Sequence, residues 1–163
     1  MAGRRILVVV AAGSGRIGYI CFHDGRPEDW RVSRKASRSP SLAAEYAQRW
    51  INQFGPQVFI TQCIRKTRKG PNTVALIEAI QRVGAHNYLH DVAVVPVRQE
   101  ANKYDEGKRL AKKFPELAKR LPQSRKFYAS EPKNTVLTDA LLMAETVLDG
   151  PELPTPPPLP VQP

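Results

Sequence analysis

The chain is short of the residues that staple, span or stack. It has two cysteines, Cys21 and Cys63, in 163 residues. Two isolated thiols without metal-ligand spacing give neither a disulfide framework nor a zinc site. Both fall in apolar segments that read as strands, so buried free thiols in a reducing cytoplasm are expected. No apolar run approaches the roughly 20 residues of a membrane helix. The stretch from Ile6 to Ala12 follows Arg4 and Arg5 as a secretory signal would, but it passes directly into Gly13 and Arg16 with no cleavage region. The expected place is the cytoplasm, with no membrane contact. His23, His86 and His90 have no ligand or nucleophile spacing. Aromatics are 7% of the chain and rarely interleave with the basic residues, so base stacking along a single strand is not indicated. Acids are scarce: 15 Asp and Glu face 25 Lys and Arg, a formal charge of +10. Such a surplus attracts polyanions, and nucleic acid comes ahead of an anionic membrane.

What is present is a run of strands and then alternating elements. Arg4 to Ala11 is a continuous β-branched run, the pattern of a central buried strand. Arg16 to His23 is a second strand, Asp24-Gly25 a turn, and Trp30 to Ser33 a third strand. Ser39-Pro40 is an N-cap followed by a first-turn proline, and Leu42, Tyr46, Trp50 and Phe54 then line a helix that Gly55-Pro56 stops. Val58 to Thr61 is a fourth strand. Asn72 caps a second helix with Leu76, Ile77, Ile80 and Val83 on its apolar face. Val92 to Val97 is a fifth strand, Asn102 to Lys113 a basic helix, and Ser130 caps a closing helix rich in Val, Leu and Ala. The order β-β-β-α-β-α-β-α-α predicts an α/β domain over residues 1–150. Its five-stranded mixed sheet joins a three-strand antiparallel meander to parallel strands, with helices on both faces. Residues 151–163, "PELPTPPPLPVQP", are a proline-rich tail unable to form helix or sheet.

Gly13-Ser14-Gly15-Arg16-Ile17-Gly18 spells G-x-G-x-x-G after a strand. A dinucleotide site needs a helix next, because the helix N-terminus receives the pyrophosphate. Here Tyr19-Ile20-Cys21-Phe22 follows, and Asp24-Gly25 closes the segment. A hairpin between two strands fits instead.

The same stretch, "ILVVVAAGSGRIGYICF", resembles the start of RuvC-type Holliday-junction resolvases and their RNase H-like nuclease relatives. "PQVFITQ" is similar to the family's fourth strand and "GPNTVALIEAIQRVGAH" to the helix after it. "VAVVPVRQEANKY" resembles the fifth strand and its exit, and "NTVLTDALLMAETVL" the closing helix. The resemblance covers most of residues 4–148 in order. It implies an RNase H-like fold and a two-metal nuclease, in which carboxylates from the first strand, fourth strand and last helix hold Mg²⁺.

This chain departs from that pattern. The first-strand Asp of the family falls on Ala11, with Ala12 beside it, and the fourth-strand Glu falls on Gln62. A methyl group cannot ligate a metal, and an amide oxygen brings no charge. Asp139 alone matches a family carboxylate; the position a turn earlier falls near Thr135 or Val136. Asp139 reads either as a remnant catalytic and metal ligand or as half of a structural ion pair. Glu100, just past the fifth strand, could belong to a relocated site, with Asp24, Asp105 and Glu106 as further candidates. Asp105 and Glu106 also read as surface charges on a lysine-rich helix.

Basic residues gather in three places. Arg34 and Lys35 follow the third strand with Arg31 and Arg38. Arg65, Lys66, Arg68 and Lys69 follow the fourth. Lys108 and Lys112 stand among the cations of the third helical region. With Arg16 at the first turn, they form the expected phosphate-binding set. The resemblance also implies a homodimer through the 72–84 helix, which would present two basic faces to branched or duplex DNA, ahead of RNA. Three readings compete. One is a nucleic-acid-binding relative with a degenerate metal site. Another is an active endonuclease with relocated ligands, requiring Mg²⁺ or Mn²⁺. The third is a scaffold whose proline-rich tail docks a partner.

Overall fold

The computed structural model describes residues 4–13, 15–66, 69–87, 89–123 and 131–149. Its strands are β1 (Arg5–Ala12), β2 (Arg16–His23), β3 (Arg26–Ser33), β4 (Val58–Gln62) and β5 (His90–Val94). Its helices are α1 (Pro40–Phe54), α2 (Pro71–His86), α3 (Lys103–Lys113) and α4 (Glu131–Leu148), with 3-10 turns at Lys35–Ser37, Ile64–Lys66 and Pro115–Arg120. One mixed sheet has the order β3-β2-β1-β4-β5. β1, β2 and β3 are antiparallel neighbours, while β4 runs parallel to β1 and β5 parallel to β4. The proline-rich tail and Ser130 lie outside the described residues. No helix among the described residues is long and apolar enough to cross a membrane.

β1 is apolar along its length because both its faces are covered. Leu7, Val9 and Ala11 point into a layer with α1 and α2; Ile6, Val8, Val10 and Ala12 point into the layer of α3 and α4. Each fully buried Val, Leu or Ile contributes about 1.5–3 kcal/mol. A charge on either face of β1 would therefore be costly.

The glycine-rich turn is a hairpin. β1 and β2 pair from Arg5 opposite His23 to Ala12 opposite Arg16. Gly15 has φ +82°, the left-handed conformation that favours glycine. Gly18 serves packing: a β-carbon there would lie 2.6 Å from Val136 Cγ1 and 2.8 Å from the Arg31 carbonyl oxygen. Its absence lets α4 settle onto β2 and β1. The amino-terminal strand and the closing helix are neighbours for that reason.

Three boundaries and one buried helix face differ from expectation. β3 begins at Arg26, not Trp30; it is an edge strand, where Pro27 is tolerated beside a register shift at Cys21/Phe22. β5 ends at Val94, because Pro96 cannot continue the ladder. α2 starts at Pro71 behind Gly70, with Asn72 inside the helix. α1 is capped by Ser39 Oγ as expected, accepting from the Leu42 N–H at 3.1 Å, but its buried face is turned. Ala43, Ala47, Trp50, Ile51 and Phe54 are covered, and Leu42 and Tyr46 flank them. The small alanines let the helix lie close to the sheet. Cys21 is buried in β2, and desolvation pushes its thiol up to about 12. Cys63 is half-buried just beyond β4, not within it.

Candidate functional site

β1 and β4 share a backbone ladder from Ile6 and Val58 to Val8 and Ile60. Beyond it, a side chain takes over. Gln62 Oε1 accepts the Ala11 N–H at 2.8 Å, and Gln62 Nε2 donates to the Ala11 carbonyl at 3.0 Å. A primary amide offers one acceptor and a donor, the complement of a peptide's N–H and C=O. A carboxylate could accept the N–H but would leave the carbonyl unanswered. Gln81 of α2 braces the corner, donating to the Gln62 carbonyl at 2.8 Å and Thr61 Oγ1 at 3.3 Å. Ala11 and Gln62 do meet, at the carboxyl ends of adjacent parallel strands, as a strut.

Asp139 lies on α4, which packs against β1 and β4 from the other face of the sheet. It is half-buried and lines a cavity of about 40 Å³ with Arg98, Lys103, Glu106, Pro122, Thr135 and Thr138. Burial raises its pKa, against the opposing pull of Lys69 and then Arg98. Glu106 adds little free charge to the cavity. Its carboxylate accepts the N–H groups of Gln99, at 2.9 Å, and Glu100, and is paired with Arg109, whose Nε lies 2.9 Å away.

A two-metal centre needs several anionic oxygens converging within reach of both ions. Ala11 supplies none, and both polar ends of the Gln62 amide are engaged. Among the described residues, no group of three or more His, Cys, Asp or Glu could hold a metal. The other acidic candidates are scattered. Glu100 is exposed, outside the Asp139 cavity. Asp105 is exposed in the first turn of α3. Asp24 is fastened to the Arg4 N–H at 2.8 Å, at the opposite edge of the sheet. Glu106, expected at the surface, is 1% exposed. The described residues do not fit a pair of Mg²⁺ or Mn²⁺ ions.

Cations surround the corner instead. Ser37 Oγ donates to the Gly15 carbonyl at 2.7 Å, holding the turn with exposed Arg34 and Lys35 against the hairpin that carries Arg16. Arg65 is exposed just beyond β4, and half-buried Lys69 lies near Asp139. Arg68 lies outside the described residues, and only the backbone of Lys66 is described. Lys108 and Lys112 are exposed, but α3 carries them away from the cavity. Its last residue, Lys113, accepts a hydrogen bond from Arg26 Nη1 at 3.1 Å, and Arg26 pairs with His23 at the far end of the hairpin. Arg98 was not legible as a site residue from its charge alone. Its place after β5 was the available signal: Gln62 pairs with Val94, so residues shortly beyond Val94 reach the same sheet edge.

The sequence matches no family model and no curated protein. Solved structures do match. A RuvC from T. thermophilus in complex with a Holliday junction substrate aligns over 89% of this chain and 92% of its own, with TM-score 0.54 and 13% identity. A Thermus thermophilus RuvC structure aligns over 88% and 93%, with TM-score 0.59 and 12% identity. The likeness shows the fold: an RNase H-like, RuvC-type α/β sheet.

Proposed function

We propose that the protein binds nucleic acid through charge and shape, branched or duplex DNA ahead of RNA, and does not cut it by two-metal chemistry. The observation that carries this reading is Gln62. Where the resemblance implies a metal-binding acid, its amide closes β1 onto β4. A charge of +10 and the cations around the same edge support the binding half of the proposal. So does the fold shared with a RuvC whose structure holds a Holliday junction substrate.

Such binding needs no base readout, because phosphate contacts hold any sequence. The test is a titration of labelled four-way junction, duplex and single strand at rising salt, alongside incubation with Mg²⁺ or Mn²⁺. Binding that weakens steeply with salt, without strand scission, is expected. No affinity at low salt overturns the reading. Cleavage that disappears in Asp139→Asn would favour the endonuclease with relocated ligands.

A homodimer through α2 belongs to the same proposal. The groove between α1 and α2 is largely apolar, lined by Pro40, Ala44, Ala79 and Val83 with Arg82 and His86 at its margin. Sedimentation of the full chain would reveal the dimer, and a monomer at tens of micromolar would remove it.

A further inference from the structure

We infer that Arg98 and Lys103, lining one small cavity with Lys69 nearby, form a phosphate seat that holds a nucleic-acid backbone directly, without a divalent ion. This rests on the nucleic-acid-binding reading above and names the place where that binding is anchored.

A cluster of acids repels phosphate and needs metal ions between them. The corner here has the reverse balance. Arg98 and Lys103 line the cavity, and Lys69 lies close enough to act on Asp139 electrostatically. Glu106 is committed to Arg109 and to two backbone N–H groups. Asp139 is the remaining acid, and burial already disfavours its charge. Arg98 and Lys103 thus share the lining with a carboxylate whose charge burial disfavours, and Lys69 stands nearby. Thr135 and Thr138 add hydroxyls to the lining. Lys69, Lys103 and both threonines have partners inside the protein, so a phosphate joins an existing polar network.

Size fixes what can enter. A space of about 40 Å³ takes on the order of one water, hence a phosphoryl oxygen and not a base or sugar. The diester arms stay outside, where Arg65, Arg34 and Lys35 are exposed at the same edge. An arginine fork with an ammonium beside it suits two non-bridging oxygens. The cations thus neutralise the phosphate as metal ions would, but they generate no hydroxide. The seat holds DNA and has no means of hydrolysing it.

The experiment uses the full chain and a labelled four-way junction, with EDTA or with Mg²⁺. Affinity equal within about twofold in the two buffers is expected. The Arg98→Ser/Lys103→Ser double variant should lose about tenfold or more in affinity at low salt, and its log–log salt slope should fall by roughly 1–2. Arg49→Ser, on the exposed face of α1 where Arg49 pairs with Glu45, should lose less than about threefold. Arg98→Lys/Lys103→Arg keeps the charge and should stay close to wild type, which separates loss of charge from loss of fold. If wild type binds but the Arg98→Ser/Lys103→Ser variant binds equally well, the seat is refuted and the general reading stands. Binding that requires Mg²⁺ refutes the seat as well. A wild-type protein that binds nothing refutes the reading on which it rests.

Discussion

Helix α4 carries two carboxylates that the fold treats in opposite ways. Glu145, near its carboxyl end, is 4% exposed and fully answered. Arg109 Nη1 lies 2.7 Å from its Oε2, Arg109 Nη2 2.8 Å from its Oε1, and Lys113 Nζ 2.8 Å from its Oε2. Lys113 also pairs with Asp149, and Arg109 with Glu106. Burial works against the Glu145 charge, but the hydrogen bonds from Arg109 and Lys113 outweigh it and hold the carboxyl below its usual range. At Asp139 the balance is reversed. Burial outweighs the pull of Lys69 and Arg98, and the pKa rises. Glu145 is matched by short bonds from Arg109 and Lys113, which fasten α3 to α4. Asp139 borders a small cavity with Arg98 and Lys103, where burial disfavours its charge.

The contrast breaks most severely at Arg109. Replacing it with Met strands Glu106 and Glu145, both buried, without their shared partner. A loss of about 3–5 kcal/mol is expected in urea denaturation. A loss under about 1 kcal/mol would show that the network is not what joins the two helices.

A smaller effect is expected from Gln62→Glu. The carboxylate loses the donor to the Ala11 carbonyl and is buried in a site only 4% exposed. The expected cost near neutral pH is about 1–3 kcal/mol. It should shrink in acid, where the protonated carboxyl regains an O–H donor. A variant as stable as wild type at neutral pH would remove the strut.

Acid sharpens the comparison further. The folded-state pKa of Glu145 is depressed, so its contribution to stability is complete above its unfolded value, about 4.3. The contribution is lost as pH falls through the folded value. Thermal melts of wild type and Glu145→Gln should therefore begin to converge once pH falls below about 4.3, and approach each other further as it falls through the depressed folded value. Melts that stay equally far apart would count against the depressed pKa.

The mildest outcome belongs to Asp139→Asn. Its raised pKa means that ionisation opposes folding as pH climbs from the unfolded value through the folded one. Neutralising it should leave stability within about 1 kcal/mol of wild type at pH 7, the change falling on the stabilising side. DNA affinity should tighten, because one negative charge leaves the cavity. A variant as damaged as Glu145→Gln would erase the distinction between the two acids.

Much of the frame was legible in the sequence. The valine-rich first strand could only be central, because no polar face exists along it. The absence of room for a helix after Gly18 settled the hairpin. Ser39 caps its helix as expected, and Asn102, read as the first residue of α3, is its N-cap. The polar half of β3 was not legible, since an edge strand escapes the burial that makes a strand apolar. Glu106 misled because charge density dominates α3. Its place one turn before Leu110, on the stripe that ends in Phe114, pointed inward. The meeting of Ala11 with Gln62 followed from the family resemblance. The use of the amide as a backbone clamp did not, because hydrogen-bond complementarity needs coordinates.

The Gln62 clamp also limits what single substitutions can do at this corner. A glutamate placed there would arrive with no acid opposite it at Ala11, and would loosen the corner it entered. Each acid introduced alone carries a cost before any metal could be held, so the clamp acts as a barrier to building such a site one residue at a time.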